Sequence, residues 1–260
     1  MRIDSGIAAI VTGGASGLGH ASVKALRAAG AKVAIFDLNP QAGEAVAAET
    51  GAIFCQVDVL SEDSLDTAFE KAAAANGAAR ILISCAGTGN AITTIRKDKT
   101  TGEIKRFPTD AFAKIVALNA VGTFATITRF AAAAATLEPF ADGERGAIVC
   151  TASVAAEDGQ QGQAAYSAGK AAIMGMTLPI ARDLSRFGIR INTILPGIFD
   201  TPAMALASDE MKAGLSATVN FPKRLGDPAE YASLALELIR NAYFNAETIR
   251  LDGGIRFTAR

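Results

Sequence analysis

Histidine and tryptophan are nearly absent from this chain of 260 residues: His20 is the single histidine, and there is no tryptophan. Cysteine is scarce as well, with Cys55, Cys85 and Cys150 far apart and no Cys-x-x-Cys pair. A structural zinc site needs four Cys or His ligands at short local spacings, so no metal site is expected. His20 directly follows Gly19 and has no partner constellation around it. A His-Asp acid/base pair is therefore not expected, and His20 is read as a surface or packing residue. Three widely spaced cysteines fit free thiols in a reducing compartment better than a disulfide framework. Excess charge is missing too: 25 Lys and Arg against 26 Asp and Glu leave a net charge of −1, which gives no pull toward nucleic acid. No window approaches the ~18 uninterrupted apolar residues of a membrane span, and the opening Met1-Arg-Ile-Asp-Ser-Gly6 has no signal-peptide pattern. The expectation is a soluble, cytoplasmic protein with no membrane or nucleic-acid partner.

What the chain has is apolar bulk, 50% of its residues, and a regular alternation. Short apolar or β-branched runs (Ala8 to Val11, Lys32 to Phe36, Ile53 to Val57, Ile81 to Ser84, Ala147 to Cys150, Ile189 to Leu195, Thr248 to Leu251) are separated by Ala-rich segments with helical spacing. Strands joined by helices imply parallel neighbours covered on both faces. The fold class expected is therefore α/β, a single Rossmann-type doubly wound domain over residues 1–260 with a seven-stranded, mostly parallel sheet. No linker, charge block or internal repeat divides it. Asp227-Pro228-Ala229-Glu230 and Ser61-Glu62-Asp63 mark helix starts. Pro179 falls inside one helical pattern from Tyr166 to about Arg186 and is read as a kink, not a boundary. Two stretches, about 88–108 and 197–223, are too long for ordinary connections and are expected to wall a substrate site at the carboxyl ends of the strands.

The first strand runs into Thr12-Gly13-Gly14-Ala15-Ser16-Gly17-Leu18-Gly19, then a helical pattern. Glycines let the backbone turn sharply and approach a pyrophosphate, whose charge the helix N-terminus stabilises; the alternative is a tight turn with no ligand. Asp37 ends the second strand about twenty residues further on, where a carboxylate accepts from ribose hydroxyls. Neither the glycine turn nor Leu38-Asn39 offers a cation for a 2′-phosphate, so NAD is expected over NADP. Asp37 could instead cap the helix that starts near Pro40. Asp58 and Val59 close the third strand, and Cys85, Ala86 and Gly87 the fourth, with residues small enough for close backbone approach to a ligand.

Tyr166 and Lys170 stand four residues apart in a helical stretch and so share a face. A tyrosine of pKa ~10 is a poor base at neutral pH; lowering it by ~3 units requires about 4 kcal/mol, a reasonable demand on a nearby ammonium and a positively charged nicotinamide. Alone, such a pair is equally an ordinary solvated one. Ser153 follows the fifth strand, where its hydroxyl can donate to a substrate oxygen or simply serve a turn.

Taken in order, Thr12-Gly-x-x-x-Gly-x-Gly19, Asp58, Ala86-Gly87, Asn119, Ser153, Tyr166-x-x-x-Lys170 and Pro196-Gly197 resemble the short-chain dehydrogenase/reductase superfamily along the whole chain. Within it, Thr151-Ala-Ser-Val-Ala-Ala156, Gly162-Gln-Ala-Ala-Tyr-Ser-Ala168 and Arg224-Leu-Gly-Asp-Pro-Ala-Glu-Tyr231 are similar to the type II 3-hydroxyacyl-CoA dehydrogenases, also called type 10 17β-hydroxysteroid dehydrogenases. The resemblance implies roles. Tyr166 is the general acid/base, Lys170 lowers its pKa and holds the nicotinamide ribose, Ser153 orients the substrate oxygen, and Asn119 supports a water-linked proton relay. Gly13, Ser16, Gly17, Leu18, Gly19, Asp37, Asp58, Val59, Cys85, Ala86, Gly87, Pro196, Gly197, Phe199 and Thr201 contact NAD, and Gln163 faces the substrate beside Ser153 and Tyr166. Two positions depart from that branch: Gly169 stands where Ser is usual, and Asp200 where Gly is usual. Within the first long loop, Arg96, Lys97, Lys99, Lys105 and Arg106 outnumber Asp98 and Glu103, which suits the phosphates of an acyl-CoA or else marks a solvated loop. The implied activity is oxidation of 3-hydroxyacyl-CoA in fatty acid metabolism by a homotetramer. The alternatives are a hydroxysteroid or other apolar secondary alcohol as substrate, or an NAD-binding scaffold with incidental turnover.

Overall fold

A computed structural model describes residues 1–204 and 208–259, so positions 205–207 of the second long loop lie outside the described residues. The apolar runs form strands β1 (Ala8–Thr12), β2 (Lys32–Asp37), β3 (Ile53–Gln56) and β4 (Ile81–Ser84). Next in the chain come β5 (Ile95–Lys97) and β6 (Ile104–Arg106), then β7 (Gly146–Thr151), β8 (Ile189–Pro196) and β9 (Thr248–Leu251). Seven of them make one sheet in the order β3-β2-β1-β4-β7-β8-β9, and every pairing in it is parallel. The chain runs outward from β1 to β3 and then returns to β4 on the other side of β1. That reversal opens a crevice at the carboxyl ends of β1 and β4.

Helices α1 (Gly17–Ala28), α2 (Pro40–Thr50), α3 (Glu62–Asn76), α4 (Thr109–Val116), α5 (Gly122–Ala134), α6 (Ala164–Leu184), α7 (Asp209–Thr218) and α8 (Pro228–Arg240) connect the strands. Because successive side chains of a strand point to opposite faces, β1 divides itself between two cores. Ala8 and Ile10 join Leu65 of α3, Phe130 of α5 and Ile173 of α6 on one face. Ala9 and Val11 join Leu26 of α1, Val46 of α2 and Leu238 of α8 on the other. Both faces are dry at the sheet centre, so β1 and β4 are apolar without a break from Ala8 to Val11 and from Ile81 to Ile83, and burying each large aliphatic side chain contributes roughly 1.5–3 kcal/mol.

The helix starts follow local chemistry. Asn39 caps α2, accepting from the Ala42 amide at 3.1 Å, and Ser61 caps α3, accepting from Ser64 at 3.3 Å. Asp37 is therefore not the cap of α2. Asp227 and Glu230 form a reciprocal capping box at the head of α8. Helix α6 runs unbroken through Pro179, as expected.

Three elements differ from the sequence expectation. The stretch 88–108 contains the antiparallel β5–β6 hairpin, a short and largely exposed pair with no buried apolar face to announce it. The stretch 197–223 contains α7, capped by Ser208 accepting from the Met211 amide. Between α4 and α5 the chain makes a π-helical turn, Ala117–Val121, that a uniform helical period does not anticipate.

Candidate active site

The crevice between β1 and β4 is a cleft of about 1080 Å³. Gly13, Ser16, Gly17, Leu18 and Gly19 line one wall, with Asp37, Asp58 and Val59 beyond them; Cys85, Ala86 and Gly87 lie at the base of the long loop, and Pro196, Gly197, Phe199 and Thr201 close the far side. Ser153, Gln163, Tyr166 and Lys170 stand on the same cleft. A second cavity, about 400 Å³ and mostly apolar, lies at the amino ends of β1 and β4 between α3 and α5 and holds none of these residues.

The glycine turn is shaped by contact. A Cβ on Gly19 would stand 2.1 Å from the Gly13 carbonyl oxygen, so α1 can begin against that turn only with glycine there. Gly13 adopts φ +63°, and its missing Cβ would meet the Ala86 amide at 2.8 Å, which draws the ends of β1 and β4 together. At the start of α1, Ser16 makes no side-chain capping bond and no acidic residue stands in the first turn. Those N–H groups suit an anionic pyrophosphate. Asp37 accepts from the Ala15 amide through Oδ2 at 3.1 Å and from Asn39 through Oδ1 at 3.0 Å, so one carboxylate fixes the turn and marks the ribose end of the cleft. Among the described lining residues Lys170 is the one cation, and it stands at the other end. Among the described lining residues no cation stands at Asp37 to neutralise a 2′-phosphate. These residues fit a dinucleotide with an unphosphorylated adenosine ribose.

At that other end Ser153 is buried, and its Oγ accepts from the Ala155 amide at 3.1 Å while hydrogen-bonding Tyr166. The turn role and the site role weighed for Ser153 coincide in one hydroxyl. Lys170, 4% exposed, donates from Nζ to the Thr151 carbonyl at 2.9 Å and lies 5.9 Å from the centre of the Tyr166 ring. Burial pulls its ammonium down to about 8, against the pull of the nearby Cys85 and Cys150 sulfurs. Burial also pushes the Tyr166 phenol above its ordinary value, with the Ser153 hydrogen bond opposing it. The sequence reading credited the lysine with lowering this pKa; in the protein alone desolvation wins, and the ammonium is bonded to a carbonyl instead of the phenol.

Asn119 does not line the cleft. It is wholly buried in the π-helical turn, its Nδ2 donating to the Thr88 and Ile115 carbonyls at 2.7 and 2.9 Å, while its Oδ1 has no partner among the described residues. A Cβ on Gly87 would lie 2.6 Å from that oxygen and 3.0 Å from Lys170 Nζ, so the two polar atoms flank one point behind the cleft wall. Gly89 crosses the Tyr166 ring so closely that a Cβ there would be 2.8 Å from the ring. Gly169 lies on Asn119, where a Cβ would sit 3.0 Å from the asparagine Cβ.

His20 lies outside the cleft, its Nε2 2.8 Å from Glu49 on the surface. Phe257, Met204 and Asn90 line the cleft and were missed. Phe257 comes from a coil far along the chain, and no local pattern points to it. Asn90 lay within a loop already expected to wall the site.

Comparison with known proteins follows this geometry. A profile for the family described as short chain dehydrogenase matches residues 7–212. The 3-hydroxyacyl-CoA dehydrogenase type-2 of Drosophila melanogaster is 46% identical over 249 residues, 95% of this chain and 96% of the relative. The protein of the same name from Homo sapiens is 44% identical over 257 residues, 98% and 97% of the two chains. The crystal structure of 3-hydroxyacyl-CoA dehydrogenase type-2 from Mycobacterium avium superposes with a TM-score of 0.92 at 43% identity, covering 98% of each chain.

Proposed function

This chain belongs to the short-chain dehydrogenase family and is an oxidoreductase, and from that membership we propose that it oxidises the hydroxyl of a 3-hydroxyacyl-CoA to the ketone with NAD as cofactor. The observation that carries the reading is one continuous cleft with Asp37 at one end and Ser153, Tyr166 and Lys170 at the other. NAD, when bound, supplies the acceptor for the hydride that leaves the carbinol carbon. Tyr166 takes the hydroxyl proton at its phenolic oxygen. Ser153, whose Oγ accepts from the Ala155 amide, has one hydroxyl hydrogen, which turns from Tyr166 to donate to the substrate oxygen. Lys170 contributes positive charge beside the phenol; with the nicotinamide charge it must supply more than about 4 kcal/mol to bring Tyr166 near neutrality. Asn119 Oδ1, unpartnered beside Lys170, supports a proton relay behind the cleft.

The acyl-CoA reading rests on the hairpin. Lys105 is bound to Asp98 at 2.7 Å, while Arg96, Lys97, Lys99 and Arg106 make no ion pair among the described residues and form the phosphate-facing set. Two further features concern assembly and place. Within the helical run Thr109–Ala134 an 18-residue window has a mean hydropathy of 1.4 with only 33% of it buried within the chain, and Phe112, Val121 and Phe124 on the run and Leu178 on α6 are exposed. These faces suit other copies of the chain, hence a homotetramer, which light scattering would test. Free thiols at all three cysteines suit a cytoplasmic location, to be checked by fractionation.

Initial rates with NAD and NADP against 3-hydroxyacyl-CoA esters, hydroxysteroids and simple secondary alcohols test the reading. It expects the highest kcat/KM for a CoA ester with NAD. Steroids leading would move the substrate to the hydroxysteroid class, and no turnover with any alcohol would leave a cofactor-binding scaffold.

A further inference from the structure

Behind the nicotinamide end of the cleft three side chains from three elements close a hydrogen-bonded ring that the reaction above does not use. Tyr231 of α8 is 0% exposed, and its hydroxyl lies 2.6 Å from Thr151 Oγ1. Thr151 Oγ1 donates to Cys85 Sγ at 3.2 Å, and Cys85 Sγ donates to Tyr231 Oη at 3.6 Å. With the tyrosine hydroxyl donating to the threonine, each group gives one hydrogen bond and accepts one. Such a ring strengthens each member, and losing one member leaves buried groups unpaired.

Thr151 connects this ring to Lys170. It is the last residue of β7, and its carbonyl accepts the Lys170 ammonium at 2.9 Å. A threonine is stiff about χ1, so a side chain held by Cys85 and Tyr231 also holds the peptide that carries that carbonyl. We propose that Tyr231 is a positioning residue for the reaction: from α8, on the face of the sheet opposite α6, its hydroxyl locks Thr151 so that the Thr151 carbonyl stays aimed at Lys170. The proposal rests on the Tyr166–Lys170 reading of the site and adds to it a residue that touches neither substrate nor cofactor.

The titratable groups facing Lys170 are Tyr166 on its own helix, Cys150 on β7 and Cys85 after β4. If the carbonyl slips, the ammonium loses its acceptor and the charge beside Tyr166 weakens, so the phenolate forms at higher pH. Tyr231→Phe removes one oxygen and keeps the ring that fills the core. It is expected to lower kcat roughly 5- to 20-fold and to move the rising limb of the kcat–pH profile alkaline by about 0.5–1 unit. Thr151→Val does the same, Thr151→Ser stays within about twofold of the parent, and the double variant Tyr231→Phe/Thr151→Val is no worse than either single one. A Tyr231→Phe enzyme with the parent pH profile overturns the proposal, whatever its Tm; if that variant does not fold, Thr151→Val decides by the same profile. Tyr166→Phe, assayed alongside, separates the two levels: retained turnover there sinks the reading of the site, independently of the result at Tyr231.

Discussion

Around Tyr166 and Lys170 the polar groups are buried and, apart from Asn119 Oδ1 and Ser167 Oγ, bonded to the backbone or to one another, whereas on the β5–β6 hairpin the charges stand at the surface. The contact distances do not reveal this difference. Lys105 meets Asp98 at 2.7 Å, closer than Lys170 meets the Thr151 carbonyl at 2.9 Å. Yet the Lys105 side chain is 41% exposed whereas Lys170 is buried, and burial decides what each contact does. An exposed pair is screened and contributes little, whereas a buried ammonium must be held by its acceptor or give up its proton. On the proposed function, one region does chemistry by fixed position and the other recognises by charge that can still rearrange.

The largest effect expected from breaking the buried region is at Tyr166. Tyr166→Phe removes the proton acceptor and keeps the ring under Gly89, so turnover falls by on the order of a thousandfold or more while NADH still binds, as fluorescence titration would read. Unchanged turnover would exclude the mechanism. Asp37 comes next. Asp37→Ala removes the ribose acceptor and also frees the Ala15 amide, so KM for NAD is expected to rise roughly 10- to 100-fold, with kcat little altered and the preference over NADP reduced. Equal KM changes for the two cofactors would show that the carboxylate serves only the turn.

Titration gives a third contrast. Burial pushes the Cys150 thiol up to about 12, while an unfolded cysteine ionises near 8.5. The folded state keeps a proton that the unfolded chain loses. This contribution is intact below about pH 8.5 and declines as pH rises toward 12, by roughly 2–3 kcal/mol between pH 8.5 and 10.5. Cys150→Ala is therefore expected to flatten the alkaline fall in unfolding free energy, measured by urea denaturation at both pH values. On the hairpin, Lys105 and two backbone amides hold the Asp98 carboxyl down to about 2, a contribution present above about pH 4 and lost as pH falls toward 2, but solvent screens the pair, so Asp98→Asn should flatten the acid limb of stability only slightly.

The same contrast explains what could be read from the chain. Strands such as Ile81–Ser84, buried on both faces, announce themselves as unbroken apolar runs, and glycines packed against backbone, as Gly19 is against Gly13, mark the turn that needs them. Ser208 caps α7 ahead of Asp209 and Glu210 as Ser61 caps α3 ahead of Glu62 and Asp63, but α7 buries no residue and so has no periodic stripe to reveal it. The hairpin is hidden for a similar reason, since Ile95 and Ile104 face solvent and its strands pair without burying an apolar face. Asn119 was named through the family resemblance alone, and its bond to the Thr88 carbonyl, like the Cys85–Thr151–Tyr231 ring, joins residues distant in the chain that no local spacing reports.

The smallest effect belongs to the hairpin, and it is the one that most sharpens the contrast. If exposed cations recognise the phosphates of a CoA ester, each acts as a point charge in high dielectric and contributes well under ~1 kcal/mol. Lys97→Ala/Lys99→Ala should then raise KM for a 3-hydroxyacyl-CoA about three- to tenfold at low salt, leave kcat alone, and do nothing to a small hydroxy ester that carries no phosphate. Raising the salt should erase the difference from the parent. Lys105→Ala should be nearly silent, because Asp98 already engages that ammonium. If Lys105→Ala matches the double variant, or a phosphate-free ester loses as much as the CoA ester, then the hairpin acts through its fold and not its charge, and the division between fixed position and mobile charge fails where it was drawn.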